Sequence, residues 1–233
     1  DTTISAADTL DLASGITGIN LSGTASQTTS ILTTNDADML LGNLTDSTAT
    51  NLTVQSQGNL TLAGADLSTG THSFSADSNN NGSAVLILND ADTFTAGDIA
   101  LTAGGTGSGD SLDINGDIAA AANLNITNFA NVTIDASAPR NLSADNLNAV
   151  TGIGQITLDN GSSSVVIETN NDGNVDLANI DATDGADLAI SSEGNVSLDV
   201  VTLAGTTDGS LSVLVDDDAD GVATLTIDGS VST

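Results

Sequence analysis

The chain has no Cys, Trp or Tyr, a single Pro, and one Lys or Arg, Arg140, set against 31 acidic residues. Without Cys there are no disulfide staples, and redox compartment is left unconstrained. Without Trp and Tyr, and with only Phe74, Phe94 and Phe129 as aromatics, a wide core cannot be filled with rings. A formal net charge of -30 argues against nucleic acid and anionic membranes as direct partners. No apolar run approaches the roughly 18 residues a membrane helix needs. The sequence starts at Asp1 with no signal-like segment, so it is read as a processed product or a segment of something longer.

What is present is equally one-sided. Hydrophobic residues make up 39% of the chain and are nearly all Ala, Val, Leu and Ile, which suit a narrow core of stacked aliphatic groups. The acids are almost all Asp, with Glu only at Glu168 and Glu193. Asp forms turns and is a hard oxygen ligand, so the skew favours turns and cations over a merely solvating halophile-type surface.

Helix signals are nearly absent, whereas period-2 alternation runs throughout in pieces of about five residues bounded by Gly, Asn, Asp and Ser. Examples are Asn51-Leu52-Thr53-Val54, Ala84-Val85-Leu86-Ile87-Leu88, Asn131-Val132-Thr133-Ile134 and Asp187-Leu188-Ala189-Ile190. Gly followed by Asn or Asp and an aliphatic recurs at Gly42, Gly58, Gly97, Gly116, Gly173 and Gly194. Their spacing gives a minor period near 20 residues within a major one near 56. The longest self-match sets Val54–Leu62 against Ile190–Leu198 and continues into two acidic turns offset by three residues.

Coils of about 20 residues built of short strands and tight turns predict an all-β fold, a right-handed parallel β-helix (β-solenoid), as one domain over residues 1–233. Antiparallel β-sandwich repeats are the alternative. At ~4.8 Å per coil, roughly eleven or twelve coils make a rod about 50–60 Å long. Pro139 belongs in a turn, since it would remove a donor from a central ladder. Gly104–Gly109 reads as a protruding loop.

Three windows fit acid-x-Asp/Asn-x-Asp/Asn-Gly. They are Asp77, Asn79, Asn81 before Gly82; Glu168, Asn170, Asp172 before Gly173; and Asp216, Asp218, Asp220 before Gly221. Alternate oxygen side chains converge in a tight turn, and Ca²⁺ accepts six to eight oxygens at flexible geometry. Mg²⁺ prefers stricter geometry and its own waters. An acid also lies near the twelfth position of each window, at Asp90, Asp181 and Asp228. Ca²⁺ is therefore the expected ion, strongest at the Asp216 window and weakest at the Asn-rich first one. Without the ion, the windows are solvated Asx turns. The Asn-Leu/Val/Ile-Ser/Thr tripeptides at Asn20, Asn43, Asn51, Asn59, Asn125, Asn131, Asn141 and Asn195 are read as turn caps and ladders before glycosylation acceptors.

The Gly-Asn-aliphatic-Thr/Ser-aliphatic coils resemble the β-solenoid shafts of filamentous-haemagglutinin-like and other giant repetitive bacterial surface adhesins. The resemblance implies export to the cell surface and a non-catalytic role as stalk, fibre or adhesin, with an unidentified cell-surface or glycan target. Both ends stop inside repeat-like sequence, so end-to-end self-association or continuation in a longer chain is expected. Two other classes stay open. A polysaccharide-acting enzyme is disfavoured because Arg140 and His72 are the only basic groups, and His72 is expected to face solvent on its strand. An ice- or surface-binding face is drawn from Thr53, Thr61, Thr133, Thr157 and Thr226, interrupted by other residues.

Overall fold

Alternating side chains make half-buried strands, and here nearly every alternating piece becomes one. A computed structural model of the chain describes all residues except 1, 17, 23–26, 47, 49, 90–92, 106–108, 160–162, 183–184, 204–208, 220 and 233. Among the described residues there are 27 β-strands and no helix.

All pairings are parallel, and they form three stacks. The first face is a ten-stranded sheet running from Thr2–Ala6 to Leu225–Ile227. A second sheet of 17 strands supplies the other two faces. They are joined because Met39–Asp46 and Leu60–Asp66 each serve both. Met39–Leu41 continues the second face from Leu10–Leu12, while Leu44–Asp46 continues the third from Ile19–Leu21. The chain visits first, second and third faces in turn, so the fold is a parallel β-solenoid and not a sandwich.

Coil length varies more than the near-20 period suggests. Register partners Val54 and Phe74 are 20 residues apart, whereas Val196 and Leu225 are 29 apart. The extra residues all go into corners, because the strands must stay in register. Fewer, longer coils result, and ten strands stacked at ~4.8 Å span about 40–45 Å.

The core is a set of aliphatic columns. On the second face Met39, Leu60, Leu86, Leu112, Val132, Ile156, Ile180 and Val201 follow one another in register, all nearly inaccessible. Phe94, Ile118, Leu142, Ile167 and Ile190 do the same on the third. All three Phe are buried, and Phe74 meets Phe94 edge-on with ring centroids 5.1 Å apart. Pro139 lies in the turn ahead of Arg140–Ala144, as its missing donor requires. Three residues of the expected Gly104–Gly109 loop lie outside the described residues.

His72 departs from expectation. It points inward, fully buried, between Leu52 and Ile99 in the first-face column. The reason is elementary. Phe74 is two residues on, and in a strand residues i and i+2 share a face.

Candidate functional site: two copies of an acidic corner

The three acidic windows do not share a corner. Asp77–Gly82 joins the first face to the second, between Thr71–Ala76 and Val85–Leu88. The other two join the third face to the first. Glu168 still lies in the strand Ser164–Thr169, with Asn170 and Asp172 in the turn that follows, and the Asp216 window follows Leu211–Val215. Asp228 sits past the far end of Leu225–Ile227, where its N–H donates to Leu198, so it does not join Asp216. Asp181 accepts from Gln155 on the second face, away from the Glu168 turn. Asp220 and Asp90 lie outside the described residues.

Within the first and third windows, the leading Asp serves its own turn. Asp77 and Asp216 have φ of 45° and 59°, and their carbonyls accept from Asn80 and Ala219 at 2.8 and 3.0 Å. Their carboxylates accept the N–H of Gly82 and Gly221 at 3.4 and 3.3 Å. Asp77 is thereby buried, and it also accepts from the N–H of Asn81.

The larger relationship spans three coils and occurs twice. Thr33 and Thr169 each end a strand and donate Oγ1 to the carbonyl four residues on, Ala37 at 2.7 Å and Gly173 at 2.8 Å. On the next coil Ser56 and Ser192 donate to those same carbonyls at 3.0 and 2.9 Å. Gly58 and Gly194 donate their N–H to them as well, both at 3.0 Å. Asn59 and Asn195 donate their N–H to Asp38 and Asn174, both at 2.8 Å. The first turn of each copy has two successive left-handed residues, Asn35 and Asp36 in one, Asn171 and Asp172 in the other. Residues 33–39, 56–60 and 77–85 therefore match 169–175, 192–196 and 216–224 in sequence position and share these hydrogen bonds, at different corners.

The copies differ in their outward side chains. In the first, Asn79 and Asn81 donate Nδ2 to Oδ1 of Asp36 at 2.7 and 2.6 Å, and Asn79 also reaches Gln57 Oε1 at 3.3 Å. These amides hold the Asp36 carboxyl below its ordinary range, and Asp36, Asp38, Gln57, Asp77 and Asn81 line one groove. In the second copy the matching sequence positions are Asp172 for Asp36, Glu193 for Gln57, Asp218 for Asn79 and Asp220 for Asn81. Every amide has become a carboxylate. Among the described residues no three His, Cys, Asp or Glu side chains stand close enough together to hold a metal.

Outside the windows, Asp and Asn share one task. A short side chain at the start of a strand reaches the next coil and accepts its backbone N–H. Asp98 receives Asn123, Asn146 receives Asn174, Asn174 receives Asn195 and Asn195 receives Thr224, along one edge of the first face. Asn51 and Asn59 accept Thr71 and Val85 in the same way. Asp117 and Asp187 do so for Asn141 and Ser210. Glu is one methylene too long for this geometry, which gives the Asp bias a physical reason beyond cation binding.

Arg140 is buried and bound within its own turn, with Nε 2.9 Å from the Asp135 carbonyl and Nη2 3.3 Å from its carboxylate. Hydrogen bonds from Ser137, together with Arg140, outweigh burial and hold the Asp135 carboxyl low. Thr133 and Thr157 pair directly on the second face, but Asp113 and Asp181 flank them there, and Thr53 and Thr226 are on the first face. Burial pushes the Asp113 carboxyl up.

Sequence reasoning missed a compact network at the corner after Met39–Asp46. Asp46 accepts from the N–H and Oγ1 of Thr48, the N–H of Thr50 and Oγ of Ser68. These bonds overcome its burial and pull its pKa down to about 2. Nothing in the Asp46 sequence context distinguishes it from other Asp turns. No family model matches the sequence, and neither the curated proteins nor the solved structures contain a match to it.

Proposed function

We propose that the chain is a non-catalytic, rigid shaft segment of an extracellular filament or cell-surface adhesin, stabilised by Ca²⁺ at its second acidic corner. The observation that carries this reading is the pair of matched corners. One neutralises Asp36 with the amides of Asn79 and Asn81, while the other has Asp218 and Asp220 at the matching sequence positions and Asp172 and Glu193 in place of Asp36 and Gln57. With like charges in place of donors, that corner needs a hard cation with flexible oxygen coordination, as Ca²⁺ is. An ion held only by the folded corner stabilises the fold by mass action.

The shaft role draws on the continuous columns and on the end rungs. Leu225, Ile227 and Val231 are 46%, 37% and 44% exposed at one end, and Ile4 and Ile16 are 38% and 42% exposed at the other. A further coil, from a second copy or from a longer chain, covers such side chains and their strand edges. Calorimetric titration of the chelated protein with Ca²⁺, with sedimentation velocity before and after, tests both parts. Saturable binding that raises the melting temperature, together with reversible lengthening of the particles, is the expected result. No heat and an unchanged melting curve remove the ion, and a strict monomer at high concentration removes the stacking.

A further inference from the structure

His72 is the only histidine of the chain, and the fold has placed it in an aliphatic column between Leu52 and Ile99 with no exposure to solvent. Its Nε2 is 3.1 Å from the carbonyl of Ser68, which fixes the tautomer, because only a protonated nitrogen can be satisfied there. That same carbonyl accepts the N–H of Gly97 from the next coil, while Ser68 Oγ donates to Asp46 at 2.8 Å. Ser68 thus ties three coils together, and His72 supports it from inside. Nδ1 is buried with no partner. As a bare lone pair it is tolerated there, but as an N–H donor it leaves a buried unsatisfied group, and the ring gains a charge.

We propose that His72 is an acid-sensitive latch, whose protonation opens the corner from Asp46 to Gly70 locally and leaves the rest of the shaft wound. The strands packed on Thr71–Ala76 are Asn51–Gln55 and Val85–Leu88, which carry no titratable group, and Asp98–Ala103, which brings Asp98. Asp46 faces the ring from the corner. Both carboxylates favour the imidazolium, but burial outweighs them and holds the ring below its ordinary pKa. A histidine so depressed contributes stability above the unfolded value of about 6.5, and that stability is lost as pH falls below it, because the open chain takes the proton first. Opening of this unit then becomes about tenfold more favourable per pH unit. Asp46, held down to about 2, keeps its charge through mild acid.

The test uses the full chain in chelator at fixed salt. Amide hydrogen exchange at pH 7.5 and 5.5 is expected to lose protection around Leu52, His72 and Ile99 by up to about tenfold, with Leu158 and Leu188 unchanged. The imidazole proton signal is expected to titrate below 6.5 in the folded state. In H72L, which completes the aliphatic column, exchange is expected to be flat across this range. A ring that titrates at or above 6.5, uniform exchange along the shaft, or the same loss in H72L overturns the proposal. Should H72L not fold, the wild-type titration and the exchange map still decide.

Discussion

Asn81 Nδ2 lies 2.6 Å from Oδ1 of Asp36, a residue 45 positions earlier in the chain. The contact crosses the coil of Gln57 and Gly58, where the bare Gly58 backbone lies close against the turn that carries Asp36. A Cβ there would stand 2.5 Å from Oδ1 of Asp38 and 2.8 Å from the carbonyl of Asp36. Such bonds pin successive corners without help from the core.

The matched corners make an exchange experiment decisive. D218N/D220N gives the second corner the amides of the first, which can donate to Asp172. In chelator this variant is expected to melt higher than the wild type, and to lose its response to Ca²⁺. N79D/N81D is expected to behave oppositely, with lower stability in chelator and a gain on adding Ca²⁺. Differential scanning calorimetry of the four combinations checks both.

Leu112 is fully buried in the second-face column, between Leu86 and Val132. L112A is expected to cost about 2–5 kcal/mol, the range for a buried leucine whose cavity collapses only in part. Urea unfolding measures it. A loss under 1 kcal/mol would mean that neighbouring coils slide to fill the gap.

Gly173 lies against the preceding coil so closely that a Cβ would stand 1.3 Å from the carbonyl of Asp145, whereas a Cβ on Gly82 meets nothing within 4 Å. G173A is expected to destabilise by at least about 1–3 kcal/mol through forced backbone shifts. G82A is the matched control, expected to change stability by under about 1 kcal/mol. Equal effects would show that the second corner is not rigid.

Asp46 has a folded pKa of about 2, below the 3.8 of the free group. A carboxylate depressed in the folded state contributes stability above its unfolded value, and that stability is lost as pH falls toward the folded one. The contribution is about 2 kcal/mol at neutral pH, lost between about pH 4 and 2. D46N is expected to flatten the stability profile in that window alone, as read by denaturant titration at each pH.

Much of the fold was legible because alternation is local. The strand around Leu86 and the strand around Val132 could be read directly, and the Gly-Asn steps gave the winding. Corner lengths were not legible, because a strand in register tolerates any loop that returns to it. The near-20 spacing therefore overcounted the coils. The self-match of Val54–Leu62 with Ile190–Leu198 was visible, but not that one copy turns from first face to second and the other from third to first. Periodicity alone cannot say which corner a turn belongs to. His72 was misplaced for a different reason, since its polarity was weighed above its parity with Phe74.

A corner that closes its own hydrogen bonds, and recurs out of phase with the winding, behaves as a detachable part. Whole rungs need not be copied for the motif to move, because it already sits at two of the three edges. Grafting residues 169–175, 192–196 and 216–224 onto three consecutive rungs elsewhere would then carry the corner's hydrogen-bond pattern to a chosen side of the rod. The molecule offers a way to place self-bonded joints along a solenoid by sequence transplantation.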